Sequence, residues 1–136
     1  MALDIRGVTP LLWVYDMPTS IRFYRDRLGF EAASTSAVLG EDRFDWAMLQ
    51  AGQSRFMLNT IFETDEERPV RPDPSNASQR DVWLYFDCPD AQAAYAALRA
   101  KGMEAEEPVL TYYGMNQVFL VDPDGYRLCF QSIAKS

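Results

Sequence analysis

Apolar and polar positions follow two rhythms along this chain, and their order repeats once. Val8 to Tyr15 is an apolar run with β-branched and aromatic residues, closed by Asp16-Met17-Pro18, which predicts a strand entering a helix through an aspartate cap and an early proline. Ile21, Tyr24 and Leu28 then stand at helical spacing, Arg22, Arg25 and Asp26 take other faces, and Gly29 holds the place of a left-handed C-cap. Glu31 to Leu39, Arg43 to Gln50 and Arg55 to Thr60 read as three short strands, separated by Gly40-Glu41-Asp42 and by Ala51-Gly52-Gln53-Ser54. The first 60 residues therefore spell βαβββ.

The second half returns to the same order. Asp81 to Phe86 predicts a strand, and Asp87-Cys88-Pro89-Asp90 repeats the helix entry. Ala91, Ala94, Tyr95 and Leu98 keep helical spacing as far as Gly102. Met103 to Leu110, Met115 to Val121 and Tyr126 to Gln131 follow as strands, the last two joined by an Asp122-Pro123-Asp124-Gly125 turn. Asp16-Met17-Pro18 matches Asp87-Cys88-Pro89 at a separation of 87 − 16 = 71 residues, and Tyr24 matches Tyr95 at the same separation. Two copies of one supersecondary unit are the expectation. The reading is a single α+β domain over residues 1–136, with modules at about 1–60 and 81–136. The joining stretch 61–80 holds three of the eight prolines and the charges Glu63, Asp65, Glu66, Glu67 and Arg68. It reads as a solvated connector or, because it begins with Ile61 and Phe62, as a flap over a ligand site.

Composition narrows the chemistry. With 136 residues and 48% hydrophobic content the chain is long enough to bury one substantial core. It contains no histidine, which removes Ser-His-Asp and Cys-His nucleophile systems, HExxH zinc sites and histidine-ligated iron. Thirteen Lys and Arg against twenty Asp and Glu give a net charge of −7, the wrong sign for tracking phosphates, so no nucleic-acid partner is expected. No stretch approaches the roughly 20 apolar residues of a membrane span, so no membrane partner is expected either. The start, MALDIRG, lacks a basic region followed by an apolar one, which predicts a cytoplasmic protein. In that compartment Cys88 and Cys129 are expected as free thiols rather than a disulfide.

The tandem βαβββ order, the stretch Phe23-Tyr24-Arg25-Asp26-Arg27-Leu28-Gly29-Phe30, the segment Tyr113-Gly114-Met115 and the run Asp122-Pro123-Asp124-Gly125-Tyr126 together resemble the vicinal oxygen chelate superfamily. Its members include glyoxalase I, extradiol dioxygenases, fosfomycin-resistance thiol transferases and bleomycin-resistance proteins. The resemblance covers nearly the whole chain and implies two curved mixed sheets around a cavity. Metal-dependent members place one ligand on the first strand and one on the last strand of each module, usually two His and two Glu. Carried over, the first-strand positions fall on Thr9 and Asp81, and the last-strand positions on Leu58 and Cys129, with Asn59 or Phe130 one residue away. One hydroxyl, one carboxylate, one thiol and one aliphatic chain suit neither an oxygen-bound cation nor tetrahedral zinc. No metal and no cofactor are expected, which places the resemblance nearest the bleomycin-resistance-like branch, whose members bind a drug without metal and often act as dimers with shared clefts.

Strand alternation supplies the cavity lining. If Thr9 faces inward, so do Leu11, Trp13 and Tyr15, while Val8, Leu12 and Val14 pack on the helix. The same parity sends Trp83 and Tyr85 inward with Asp81, and Phe44, Trp46 and Met48 form a third stripe, with Phe56 beside Leu58. Asp45, Asp81 and Asn59 are the polar groups placed to orient a ligand. Arg127 either pairs with Asp81 or points to solvent. The functional expectation is a metal-free, homodimeric small-molecule binding protein that holds an aromatic or cationic organic ligand by stacking and cation-π contacts. The candidate ligand-binding residues are Thr9, Trp13, Phe44, Trp46, Leu58, Asn59, Asp81, Trp83, Tyr113 and Cys129. The alternative is a lyase or isomerase of the same superfamily, using Tyr112, Tyr113, Asp81 and Cys129 or an atypical metal site on Asp81.

Overall fold

Two aspartates set where the helices begin. In the computed structural model, which describes residues 3–60, 73 and 78–134, Asp16 lies extended and its carboxylate accepts hydrogen bonds from the Thr19 amide and hydroxyl. This cap turns β1 (Leu11–Val14) into α1 (Met17–Ile21), which continues as a π-helical turn, Arg22–Arg27. There the Leu28 amide reaches back five residues to the Phe23 carbonyl at 3.1 Å. The wide turn lets the successive residues Phe23 and Tyr24 both be buried, edge to face at 5.0 Å. Gly29, at φ +81°, ends the helix as expected of a left-handed C-cap.

Three strands complete the first sheet: β2 (Glu31–Thr35), β3 (Trp46–Ala51) and β4 (Ser54–Thr60). Its order is β1-β4-β3-β2, with β1 parallel to β4 and the other neighbours antiparallel. The parallel pair needs a crossover, which the helix and then β2 and β3 supply between β1 and β4. After a 3-10 turn (Ser78–Asp81), β5 (Trp83–Asp87), α2 (Ala91–Ala100), β6 (Val109–Leu110), β7 (Met115–Val121) and β8 (Arg127–Ile133) repeat the plan in the order β5-β8-β7-β6. The fold class is the α+β one expected, with two four-stranded mixed sheets that stay open. The strand expected over Met103 to Leu110 is reduced to its last two residues, because Met103 and Ala105 turn into the core. The joining stretch, with its choice between connector and flap, lies outside the described residues except for 73 and 78–80.

The repeat runs at a different offset from the one the Asp-X-Pro match predicts. Asp90, not Asp87, caps α2, accepting the amides of Gln92 at 2.9 Å and Ala93 at 3.3 Å, while Asp87 remains in β5 beside Gln131. Cap to cap the separation is 90 − 16 = 74 residues. Tyr24 thus corresponds to the buried Leu98 rather than to the half-buried Tyr95.

Helix-facing side chains from both modules form one core. Leu12 and Val14 of β1, Ala47 and Leu49 of β3, and Phe56 and Leu58 of β4 join Val118, Leu120 and Leu128 of the second sheet. Phe86 links the halves, 5.4 Å from Phe30 and 6.3 Å from Phe56. The β7-β8 turn adds a polar seam against the first module. Asp124 accepts from the Tyr15 amide at 3.0 Å and the Ser20 hydroxyl at 3.1 Å, Asp122 accepts from the Tyr24 hydroxyl at 2.6 Å, and the Tyr126 hydroxyl donates to the Trp13 carbonyl at 2.8 Å. Among the described residues no helix is long and apolar enough to cross a membrane.

Candidate ligand-binding site

Because the modules meet through their helix-facing sides, each sheet keeps its other face open. On the first sheet Trp13, Asn59 and Trp46 stand abreast across β1, β4 and β3, and Leu11, Met57 and Met48 form the next row. Trp13 is 48% exposed although Leu12 and Val14 on either side of it are buried, which is the alternation expected of this strand.

The second sheet carries a more built surface. Trp83, Arg127 and Val121 share one row, Tyr85, Cys129 and Phe119 the next, and Asp87, Gln131 and Gln117 the third. Trp83 and Tyr85 lie nearly parallel at 20° with centroids 6.5 Å apart, and Phe119 meets Trp83 edge-on at 5.8 Å. The Arg127 guanidinium sits 4.7 Å from the centre of the Trp83 ring, so neither alternative foreseen for it, Asp81 or solvent alone, describes its place. A polar track runs beside the rings. The Gln117 amide nitrogen donates to the Tyr113 hydroxyl at 3.1 Å and to the Gln131 carbonyl oxygen at 3.2 Å, and Gln131 donates to Asp87 at 3.1 Å. At the Trp83 end of this face a cleft of about 680 Å³ opens, bordered also by Phe23 and Arg27 of the π-turn and by Gly102, Met103, Glu104 and Glu106 after α2. That volume suits a small organic molecule.

Of the ten expected site residues, Trp13, Trp46 and Asn59 come together on the first open face, and Trp83, Cys129 and Tyr113 belong to the second. Four do not take the places expected. Leu58 has no exposed surface and lies on the core face, since the tight Gly52-Gln53 turn sets β4 so that Asn59 is the residue facing out beside Trp13. Its neighbour Phe56 is buried on the same core face. Phe44 precedes β3 and packs into the core. Thr9 is exposed and precedes β1. Asp81 ends the 3-10 turn with its side chain 83% exposed, 3.9 Å from Arg80, off the β5 face. Sequence reasoning left Phe119, Asp87, Gln117 and Gln131 out of the site. Counting alternate residues along β5, β7 and β8 would have found them, once those three strands were aligned.

The donor set for a metal fits no better in space than in composition. Counted from the helix caps, the partner of Thr9 is Trp83, whose indole offers no metal donor. Leu58 is aliphatic and faces the core, and Cys129 is sealed between Tyr85 and Phe119, where burial pushes its thiol up to about 11. Among the described residues no three His, Cys, Asp or Glu side chains gather to hold an ion. The acid-base alternative gains no assembled set either. Tyr112 is almost wholly exposed, Tyr113 is engaged with Gln117, and no hydrogen bond joins any two of Tyr112, Tyr113, Asp81 and Cys129.

These open faces and the doubled βαβββ plan define a class, and the sequence places the chain within it. Residues 8–130 match the family model of the Glyoxalase/Bleomycin resistance protein/Dioxygenase superfamily, so the chain belongs to that superfamily. Its solved relatives include SMU.1112c, at 25% identity over 95% of this chain and 100% of that one, with a TM-score of 0.74. The bleomycin resistance determinant encoded on the transposon Tn5 is 22% identical over 95% of this chain and 98% of that one, with a TM-score of 0.70. A bleomycin-binding protein complexed with bleomycin is 22% identical over 97% and 100% of the two chains, with a TM-score of 0.68. None of the curated proteins matches the chain.

Proposed function

We propose that this protein is a metal-free small-molecule binding protein that holds a flat aromatic compound on its open sheet faces. The observation that carries the reading is the half-exposed Trp83, aligned with Tyr85, edged by Phe119 and set beside the hydrogen-bonded Tyr113-Gln117-Gln131-Asp87 track. Rings held in register offer a stacking platform at low entropic cost, and the amide track offers orientation. Structural similarity to a protein solved with bleomycin bound supports a ligand role for the fold, not a particular ligand. The cationic half of the expected ligand class draws on the net charge of −7, but the ring of Trp83 already carries a cation in Arg127. Two free thiols accord with work in a reducing cytoplasm. A second copy of the chain, covering the exposed Trp13 and Leu11, would complete the site as a homodimer.

Titration of tryptophan fluorescence with planar aromatic compounds tests the reading. Saturable quenching is expected, and Trp83→Ala should weaken affinity by about tenfold, as loss of a stacking anchor does. Absence of saturable quenching by every compound defeats the proposal.

A further inference from the structure

The Trp83 cleft holds two positive charges that make no ion pair among the described residues. Arg22 and Arg25, on the same π-turn as Arg27, are tied to Asp42 and Asp26 at distances from 2.7 to 3.8 Å. Arg27 and Arg127 both border the cleft, and among the described residues neither makes an ion pair. In a chain with twenty acidic and thirteen basic residues, these two guanidiniums stand out because neither is tied to a carboxylate among the described residues. Arg127 is also fixed. Its stem runs between Trp83 and Val121 in the strand register, and its head rests on the Trp83 ring. A guanidinium already held in place loses little freedom when it binds, and its planar fork matches a carboxylate.

Two carboxylates border the same cleft, Glu104 and Glu106. Both are exposed on the segment after α2, and among the described residues neither makes a salt bridge or a side-chain hydrogen bond. They bring the formal charge of the cleft lining to zero, so it is the held Arg127 guanidinium, not a net positive field, that favours a carboxylate. A single carboxylate set on Arg127, clear of the two glutamates, is the charge this arrangement suits.

We propose that the Trp83 cleft takes a planar aromatic monocarboxylate, with its ring in the corner between Trp83 and Phe119 and its carboxylate on Arg127, Arg27 standing at the mouth. This deepens the ligand-binding reading by naming the ligand's charge, and it rests on that reading.

Calorimetric titration of the whole chain with four naphthalene probes separates the two ideas: 1-naphthoate, 1-naphthamide, 1-naphthylmethylammonium and 1-naphthyl phosphate. The carboxylate should bind at least about tenfold more tightly than the amide, as a hydrogen bond to a charged partner predicts, with the ammonium and the dianionic phosphate weaker. Arg127→Met, which keeps the stem on Trp83, should lower the carboxylate's affinity to that of the amide and leave the amide unchanged. Arg27→Gln should produce a smaller loss in the same direction, and it keeps the test intact if the Arg127 variant fails to fold. If the amide or the ammonium binds as tightly as the carboxylate, or if neither variant moves the carboxylate, the charge assignment is wrong while the binding function survives. If none of the four binds and no other planar compound quenches tryptophan fluorescence, both fail together.

Discussion

Burial acts on the Asp122 carboxyl against three hydrogen bonds donated to it, from the Tyr24 hydroxyl and from the amides of Asp124 and Tyr126. Such bonds favour the charged form, yet burial prevails and, with Asp124 close by, pushes this carboxyl up to about 7. The same surroundings hold the Tyr24 phenol well above its ordinary range, so across neutral pH it is Asp122 that changes charge. The folded state thus binds a proton more tightly than the unfolded chain does. Its stabilising contribution is complete below about 4, and it is lost as pH rises through about 7. Asp122→Asn keeps an oxygen for the two amides and removes the titration. In urea unfolding, wild-type stability should fall relative to Asp122→Asn between pH 5 and pH 8, and parallel pH profiles for the two proteins would show that Asp122 is not the titrating group.

Two aspartates, Asp87 and Asp90, stand on either side of Pro89 at the entry to helix α2, and only Asp90 caps it. Removing the Asp90 carboxylate leaves the Gln92 and Ala93 amides without their acceptor, so Asp90→Ala should cost about 1 kcal/mol of stability, measured from the urea midpoint. Asp87→Ala leaves the cap intact and breaks instead the bond from Gln131, so helix stability should not change and a loss there equal to that of Asp90→Ala would contradict the assignment. The same ambiguity explains what the sequence did and did not reveal. Element types and their order were legible because strand alternation, helical spacing and turn residues agree over both halves. The exposed Leu11 and Trp13 and the half-exposed Trp83 and Tyr85 were legible because parity within a strand needs no partner. Leu58 and Asp81 were not. The face of Leu58 depends on the length of the turn before β4, where a shift of one residue reverses a strand's faces, and Asp81 falls in a 3-10 turn that ends before β5 begins. The Gln117-Gln131-Asp87 track was hidden for the same reason, since it spans three strands whose register no single segment reports.

Packing through the helix-facing sides leaves exposed aromatic side chains on both sheets, in competition with a net charge of −7. Leu11 and Trp13 on one face and Trp83 and Tyr85 on the other are each 40% exposed or more, more apolar surface than scattered single residues account for. Burying those faces against a second copy would release that surface from water, while two like-charged chains repel each other. The balance predicts a dimer that tightens as salt rises, because screening weakens the repulsion and leaves the apolar contact unchanged. Sedimentation velocity at low and high ionic strength checks this. Trp13→Asp should shift the species toward monomer without lowering the chain's own stability, since Trp13 lies outside the core. A wild-type chain that stays monomeric at every concentration and salt level would mean that the open faces serve the ligand alone. In that case each chain must bind its ligand independently, with a stoichiometry and affinity that do not depend on protein concentration.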